Sequence, residues 1–224
     1  MKYVLPYFTM QSMIESLKNL KKSDFFENAN LHIHTHFSDG ILSPQEVIEK
    51  ARASNLKLIS ITDHNSIEAY NHIPHGDLGD LQLITGVEFD CWYKTNFIHI
   101  LGYGFDINDK KIKQLCAKDL NGTRYDIIRI FSKRKAPQVI KAIKEAGGIA
   151  VIAHPACCWN MNLKKMIKEL QSFGLDGVEV YYPYTGHRAI VKFYSDDQIK
   201  EYATKLNLLI TGGTDCHSDN ITGR

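Results

Sequence analysis

The stretch Asn30-Leu31-His32-Ile33-His34-Thr35-His36-Phe37-Ser38-Asp39-Gly40 decides how this chain is read. Leu31 to His34 alternates apolar and polar side chains, the period of a short strand, so His32 and His34 point to one face. Ser38-Asp39-Gly40 has the residues of a turn. Just beyond it, Ser43-Pro44-Gln45-Glu46 marks a helix start, with a Ser cap, Pro at the first helical position and Glu three residues after the cap. That helix is expected to run to about Ser54. Strand, turn and helix in this order form the opening unit of an α/β protein.

The same alternation continues outward. Strands are expected at Leu56 to Ile61, Leu81 to Phe89 and Phe97 to Tyr103, the last two paired across Lys94-Thr95-Asn96. Further strands are expected at Ile149 to Ala153, Val178 to Tyr181 and Leu208 to Thr211. Helices are expected over Pro137 to Ala146, stopping at Gly147-Gly148, and over Ser195 to Leu206, with a second cap pair in Ser195 and Gln198. Upstream, Met13, Ile14, Leu17 and Leu20 have helical spacing, which predicts a lead-in helix within residues 1–29 that packs on the outside of a domain over 30–224. Residues 104–136 carry no clear period and read as polar and basic, either a helical insertion or a surface loop.

Composition narrows the function. The 224 residues suit one domain, and 44% apolar residues suffice for a large core. Lys and Arg number 27 against 25 Asp and Glu, which argues against a protein that coats long nucleic acid. No apolar run is long enough for a membrane span, and the first 22 residues lack the pattern of an export signal. Five cysteines without framework spacing read as reduced thiols, hence a cytoplasmic protein.

Ten histidines are the unusual feature. His32 and His34 share a strand face, and Asp39 follows in the turn. His64 ends a strand, Glu88 lies in Gly86-Val87-Glu88, and His99 sits on the paired strand. His154 ends another strand, and Asp215 and His217 follow the last. In a parallel α/β barrel the C-terminal strand ends converge on one face. Nine imidazoles and carboxylates gathered there would be costly unless metals absorbed their charge and lone pairs. Singly each has an ordinary explanation as a cap or turn residue; jointly they point to Zn, Mn or Fe.

In these motifs the chain resembles the PHP (polymerase and histidinol phosphatase) superfamily of metal-dependent phosphoesterases. The resemblance rests on Asn30 to Gly40, Ile61-Thr62-Asp63-His64, Gly86-Val87-Glu88, His99 to Tyr103, Ala153-His154-Pro155 and Thr211 to His217, in the family's order. It implies a distorted seven-stranded (βα) barrel with a trinuclear site. By that likeness His32, His34, Glu88 and Asp215 bind one metal. Glu88 bridges to a second held by His99 and His154, and Asp39, His64 and His217 hold a third. A hydroxide bridging the metals, held through Glu88, His154 and Asp215, would attack the phosphoester.

Two departures stand out. Asn30 replaces the Asp usual at the start of the first motif. Only about fifty residues separate His99 from His154, where nucleotide-hydrolysing relatives carry a helical cap, so the metal face is expected to be open. Substrate contacts are expected from His187 and Arg188. Arg129 and Arg134 read as surface charges, His36, His72 and His75 as surface residues, and Cys216 as pointing away from the metals. The expected substrates are small phosphoesters, nucleotides or short oligonucleotides. Histidinol phosphate, amidohydrolase-like C–N cleavage and a non-catalytic module of a polymerase assembly are the alternatives.

Overall fold

A computed structural model describes residues 10–73, 78–158, 160–183 and 192–222. Seven strands follow one another around the sheet in chain order: β1 Ala29–Ile33, β2 Leu58–Ile61, β3 Gln82–Tyr93, β4 Asn96–Tyr103, β5 Ile149–Ile152, β6 Gly177–Tyr181 and β7 Leu209–Gly212. Neighbours run parallel except where β4 pairs antiparallel with β3 and β5. The two edges meet just beyond β7. The His34 N–H donates to the Cys216 carbonyl at 2.9 Å and the Cys216 N–H to the His32 carbonyl at 3.3 Å, which nearly closes a barrel.

The helices are α1 Met10–Asn19, α2 Asp24–Glu27, α3 Pro44–Ala53, α4 Lys110–Leu115, α5 Asn121–Arg124, α6 Asp126–Arg129, α7 Ala136–Glu145, α8 Leu163–Gln171 and α9 Asp196–Lys205. Both expected capping boxes form, Ser43 with Glu46 and Ser195 with Gln198. Helix α8, additional to the elements expected, buries Leu163, Met166, Ile167 and Leu170, one amphipathic stripe. Helix α1 lies against β7 and buries Met13 and Leu17 in the main apolar cluster of the barrel. A second cluster under α3 joins Ile33, Val47, Ala51, Ile59 and Leu83. Among the described residues no helix is long and apolar enough to cross a membrane.

This topology fixes where the site lies. Every parallel strand ends at the same mouth, and the antiparallel β4 begins there. His99, near the start of β4, therefore reaches the face served by the C-terminal ends of the others. Strands β3 and β4 are also longer than the rest, so their hairpin, turning at Lys94 with φ 54°, stands above the barrel rim.

Candidate metal centre

Strand alternation brings His32 and His34 to the barrel axis, both fully buried. Opposite them stand Glu88 of β3 and Asp215, after β7. His32 Nε2 lies 3.1 Å from His34 Nε2, 3.2 Å from Glu88 Oε2 and 3.2 Å from Asp215 Oδ1. His34 Nε2 lies 3.3 Å and 2.9 Å from the same two oxygens. Four lone-pair atoms thus face one another across about the edges of a shell with metal bonds near 2.0–2.2 Å.

Glu88 divides its oxygens. Oε2 serves this group and lies 3.3 Å from His64 Nδ1, while Oε1 lies 3.0 Å from His99 Nδ1 and 3.0 Å from His154 Nε2. Such a division is what a shared ligand requires. On the far side Asp39 Oδ1 lies 3.1 Å from His217 Nε2 and 3.6 Å from His34 Nδ1, and Asp39 Oδ2 lies 3.8 Å from His64 Nε2. All nine residues expected at the site are therefore gathered in one continuous cluster. Its inner members are sealed, whereas the side chains of His99, His154 and His217 keep 18%, 15% and 25% of their exposure and mark the opening.

The donor set fits metal ions. Among the described residues, Asp39 Oδ1, His64 Nδ1, Glu88 Oε2 and Asp215 Oδ1 are buried with no hydrogen-bond partner. Orphaned acceptors at this density are costly, and a cation among them removes the cost. Protonation answers the same need without metal. Burial pulls the His32 imidazole down, but the carboxylates of Glu179, Asp215 and Glu88 outweigh it and hold it well above its ordinary value. His34, also opposed by burial, is raised to about 10 by Asp215, Glu88 and Asp39. Glu88 and Asp215 are held well below the carboxylate range, against burial, by the surrounding imidazoles.

Residues beyond the expected set hold these side chains in place. Glu179, buried in the middle of β6, accepts a hydrogen bond from His32 Nδ1–H at 2.9 Å and one from the His154 backbone N–H at 2.8 Å. That fixes the His32 tautomer and turns the Nε2 lone pair inward. Asp63 accepts from the Thr35 N–H, the Thr35 hydroxyl and the Ser38 hydroxyl, each at 2.6 Å, and so shapes the turn that carries Asp39. Tyr182 donates to Asp215 Oδ2 at 2.8 Å, leaving Oδ1 for the cage. Burial and the Asp215 charge push the Tyr182 hydroxyl up, so it stays a donor. Two of the nine sit at positive φ, His154 at 26° and Asp215 at 49°, strain of the kind that accumulates at functional sites. Gly213 lets the chain leaving β7 pass β1, since a Cβ there would fall 2.5 Å from the His32 backbone nitrogen.

Three expectations need correction. Arg129 is not a surface charge: it is 6% exposed, with Nη1 2.9 Å from Asp39 Oδ2 and Nε 3.6 Å from Asp90 Oδ1, and it pairs with Asp126. Arg134 is half-buried and bonds the Leu115 carbonyl and the Ser132 hydroxyl. The metal face is not simply open. Arg124 reaches the His36 and Ser38 carbonyls, and Asn65 bonds the Gly122 carbonyl, so the inserted segment covers the Asp39 flank. There its Arg129 faces the buried Asp90 and the half-buried Asp39, so a guanidinium meets both carboxylates. Asp90 itself, 3.3 Å from His64 Nδ1 and 3.1 Å from His99 Nε2, was also unforeseen, although it lies two residues after Glu88 on the same strand face.

Cys216 is buried in the cluster under α3, away from the cage. His72 is exposed and bonds Glu68, and His36 packs beside Phe37. His75, His187 and Arg188 lie outside the described residues. Asn30 has a structural use: its Nδ2 donates to Thr214 Oγ1 and the Ile221 carbonyl, and its Oδ1 accepts from the His32 and Thr214 N–H groups.

A nearly closed α/β barrel with imidazoles and carboxylates gathered at one mouth defines a metal-dependent hydrolase of the barrel type. The PHP domain model matches residues 30–209, and the chain belongs to that family. A 5'-3' exoribonuclease of Haemophilus influenzae is 27% identical over 215 residues, covering 67% of this chain and 78% of its own length. A 3',5'-nucleoside bisphosphate phosphatase of Chromobacterium violaceum is 32% identical over 80 residues, 35% of this chain and 28% of its own. Among solved structures, a candidate metal-dependent phosphoesterase of Bifidobacterium adolescentis superposes with a TM-score of 0.65 at 22% identity, covering 85% of this chain and 88% of that one. The protein is a hydrolase of the PHP type, and its chemistry is metal-dependent phosphoester hydrolysis.

Proposed function

We propose that the protein hydrolyses nucleotides or short oligonucleotides at a centre of two to three divalent ions, Mn, Zn or Fe. His32, His34, Glu88 and Asp215 would hold the first. Glu88, His99 and His154 would hold the second, and Asp39, His64 and His217 the third. The observation that carries this reading is the convergence of four lone-pair atoms within 2.9–3.3 Å, beside orphaned carboxylate oxygens. Bound metals supply a water of lowered pKa as nucleophile and positive charge for the phosphoryl oxygens. The chain's own part is to fix tautomers through Glu179, to orient Asp215 through Tyr182 and to keep the inner ligands dry.

The relatives' named activities, on RNA and on nucleoside bisphosphates, support a nucleotide substrate. His187 and Arg188 remain the proposed substrate contacts, and five free cysteines support a reducing, cytoplasmic setting. The test is elemental analysis together with a screen of Mn-loaded protein against nucleotides, short oligonucleotides, sugar phosphates and histidinol phosphate. Glu88→Ala is expected to lose two ions and to cut hydrolysis about a thousandfold, the effect of several kcal/mol of lost charge stabilisation. Retention of all ions by that variant would overturn the shared-ligand assignment.

A further inference from the structure

Strands β3 and β4 carry the inner face of the barrel past its rim. Along β3, Glu88, Asp90 and Trp92 alternate onto one face; along β4, His99 and Phe97 do the same. The register pairs Asp90 with His99 and Trp92 with Phe97. The row next outward from the metal ligands is therefore aromatic. Phe97 lies edge-on to His99 at 5.4 Å, and Trp92 lies 5.4 Å from Phe97. Both rings are only half-buried.

The outer edge of β3 is lined by residues 130–135. The Trp92 indole N–H donates to the Ile130 carbonyl at 3.0 Å, its backbone N–H donates to the Arg134 carbonyl at 2.9 Å, and Lys135 sits opposite Trp92 in register. With its N–H satisfied, the indole is held in place and its face needs no polar partner. Within this strip Phe131 is 78% exposed, and a few residues earlier in the chain Ile127 is 74% and Tyr125 53% exposed. Lys133 and Lys135 are exposed in the same stretch. Exposed aromatic residues interleaved with lysines suit a strand of nucleotides, whose bases stack and whose phosphates pair. A protein-binding face would instead be depleted of lysine.

We infer that Phe97, Trp92 and Phe131 form a base-stacking platform, leading away from the metal centre, for the nucleotides next to the scissile phosphate of a single-stranded oligonucleotide. The inference rests on the phosphoesterase reading of the metal centre and adds what that reading leaves open, the feature that favours an oligonucleotide over a small phosphate ester. Stacking on such rings is tolerant of sequence, so length rather than base identity governs preference.

The test compares a 5'-phosphorylated tetra-adenylate with ribose 5-phosphate, using Mn-loaded protein. Phe97→Ala and Phe131→Ala should each raise the ratio of their KM values about five- to hundredfold, the loss expected of one stacked base, with little change in the ratio of kcat values. Phe97→Trp and Phe131→Trp should restore it, and Phe173→Ala, on an exposed ring outside the strip, should not move it. Binding is read independently from quenching of Trp92 fluorescence by tetra-adenylate with calcium in place of manganese, the Trp92→Phe variant isolating its signal from that of Trp159. An unmoved KM ratio with unmoved quenching would overturn the platform. So would a dimer that Phe131→Ala converts to monomer without affecting tetra-adenylate. If the unaltered protein hydrolyses no phosphoester, the proposed function fails, while the quenching still decides for or against the platform.

Discussion

The two flanks of the metal centre solve the same electrostatic problem differently. On the flank near β1, β6 and β7, His32, His34 and Asp215 are held by Glu179 and Tyr182, and among the described residues no lysine or arginine ion pair is formed with them. On the β2–β3–β4 flank, Asp39 and Asp90 face the guanidinium of Arg129, delivered by a segment that belongs to no strand. One flank is built to wait for metal. The other already holds a positive charge that bound metal must share.

Removing that charge should have the largest effect. Arg129→Gln takes the guanidinium from the buried Asp90 and the half-buried Asp39 and should cost the metal-free protein about 3 kcal/mol. The loss should shrink when metal is bound, because the ion then answers for Asp39. Urea unfolding with and without chelator measures both. Equal losses would show that Arg129 and the metal do not share Asp39.

The opposite flank is probed by Glu179→Gln. The amide oxygen can still accept from His32, but the amide nitrogen then meets the His154 N–H, donor against donor. Metal affinity should fall about 10- to 100-fold, as for other residues that orient metal ligands. Chelator competition reads this directly, and an unchanged affinity would mean that strand register alone fixes His32.

These two residues also show what a sequence makes legible. His and acidic residues recur on strands and just beyond strand ends, which is why the nine clustered residues could be picked out from order and spacing; the β3–β4 hairpin and both capping boxes carried their own local signals. Glu179 was visible as an acid within an apolar strand, but its task appears only once His32 stands beside it. Arg129 had no such signal. It comes from a four-residue helix in a segment without period, and its burial is dictated by Asp39 and Asp90, distant in sequence. The exposed Ile127, Phe131 and Tyr125 were equally hidden, since the basic residues around them made the segment read as polar.

The first flank also predicts a pH dependence. His32 and His34 are raised, the latter to about 10, by the carboxylates that overcome burial. Their charge therefore stabilises the metal-free fold fully below about pH 6.5, the unfolded value, and the contribution is lost as pH rises toward 10. The lowered carboxylates Glu88 and Asp215 act at the other end, contributing above about pH 4 and failing in strong acid. Metal replaces the imidazole protons, so its affinity rises over the same neutral to alkaline range. The gap in Tm between loaded and metal-free protein should therefore widen from pH 6.5 to 9. A constant gap would show that the empty cage holds no imidazolium.

The smallest expected effect is at Asn30, where the chain departs from the usual Asp of its family. Asn30 is buried and uses both ends of its amide, the oxygen accepting from two backbone N–H groups and the nitrogen donating at 2.6 Å to Thr214 Oγ1 and the Ile221 carbonyl. Asn30→Asp keeps the accepting side. On the other side it sets a carboxylate oxygen against a carbonyl that cannot donate, while the Thr214 hydroxyl can rotate to donate instead. One bond is then lost and one repulsion gained, about 1–2 kcal/mol. In a chain of this size that lowers Tm by about 2–4 °C per kcal/mol. The metal count should not change, since Asn30 contributes no ligand. A variant as stable as the parent would mean that the segment around Ile221 moves to relieve the contact, and that the closure of β1 against β7 depends on the Cys216 backbone bonds rather than on this side chain.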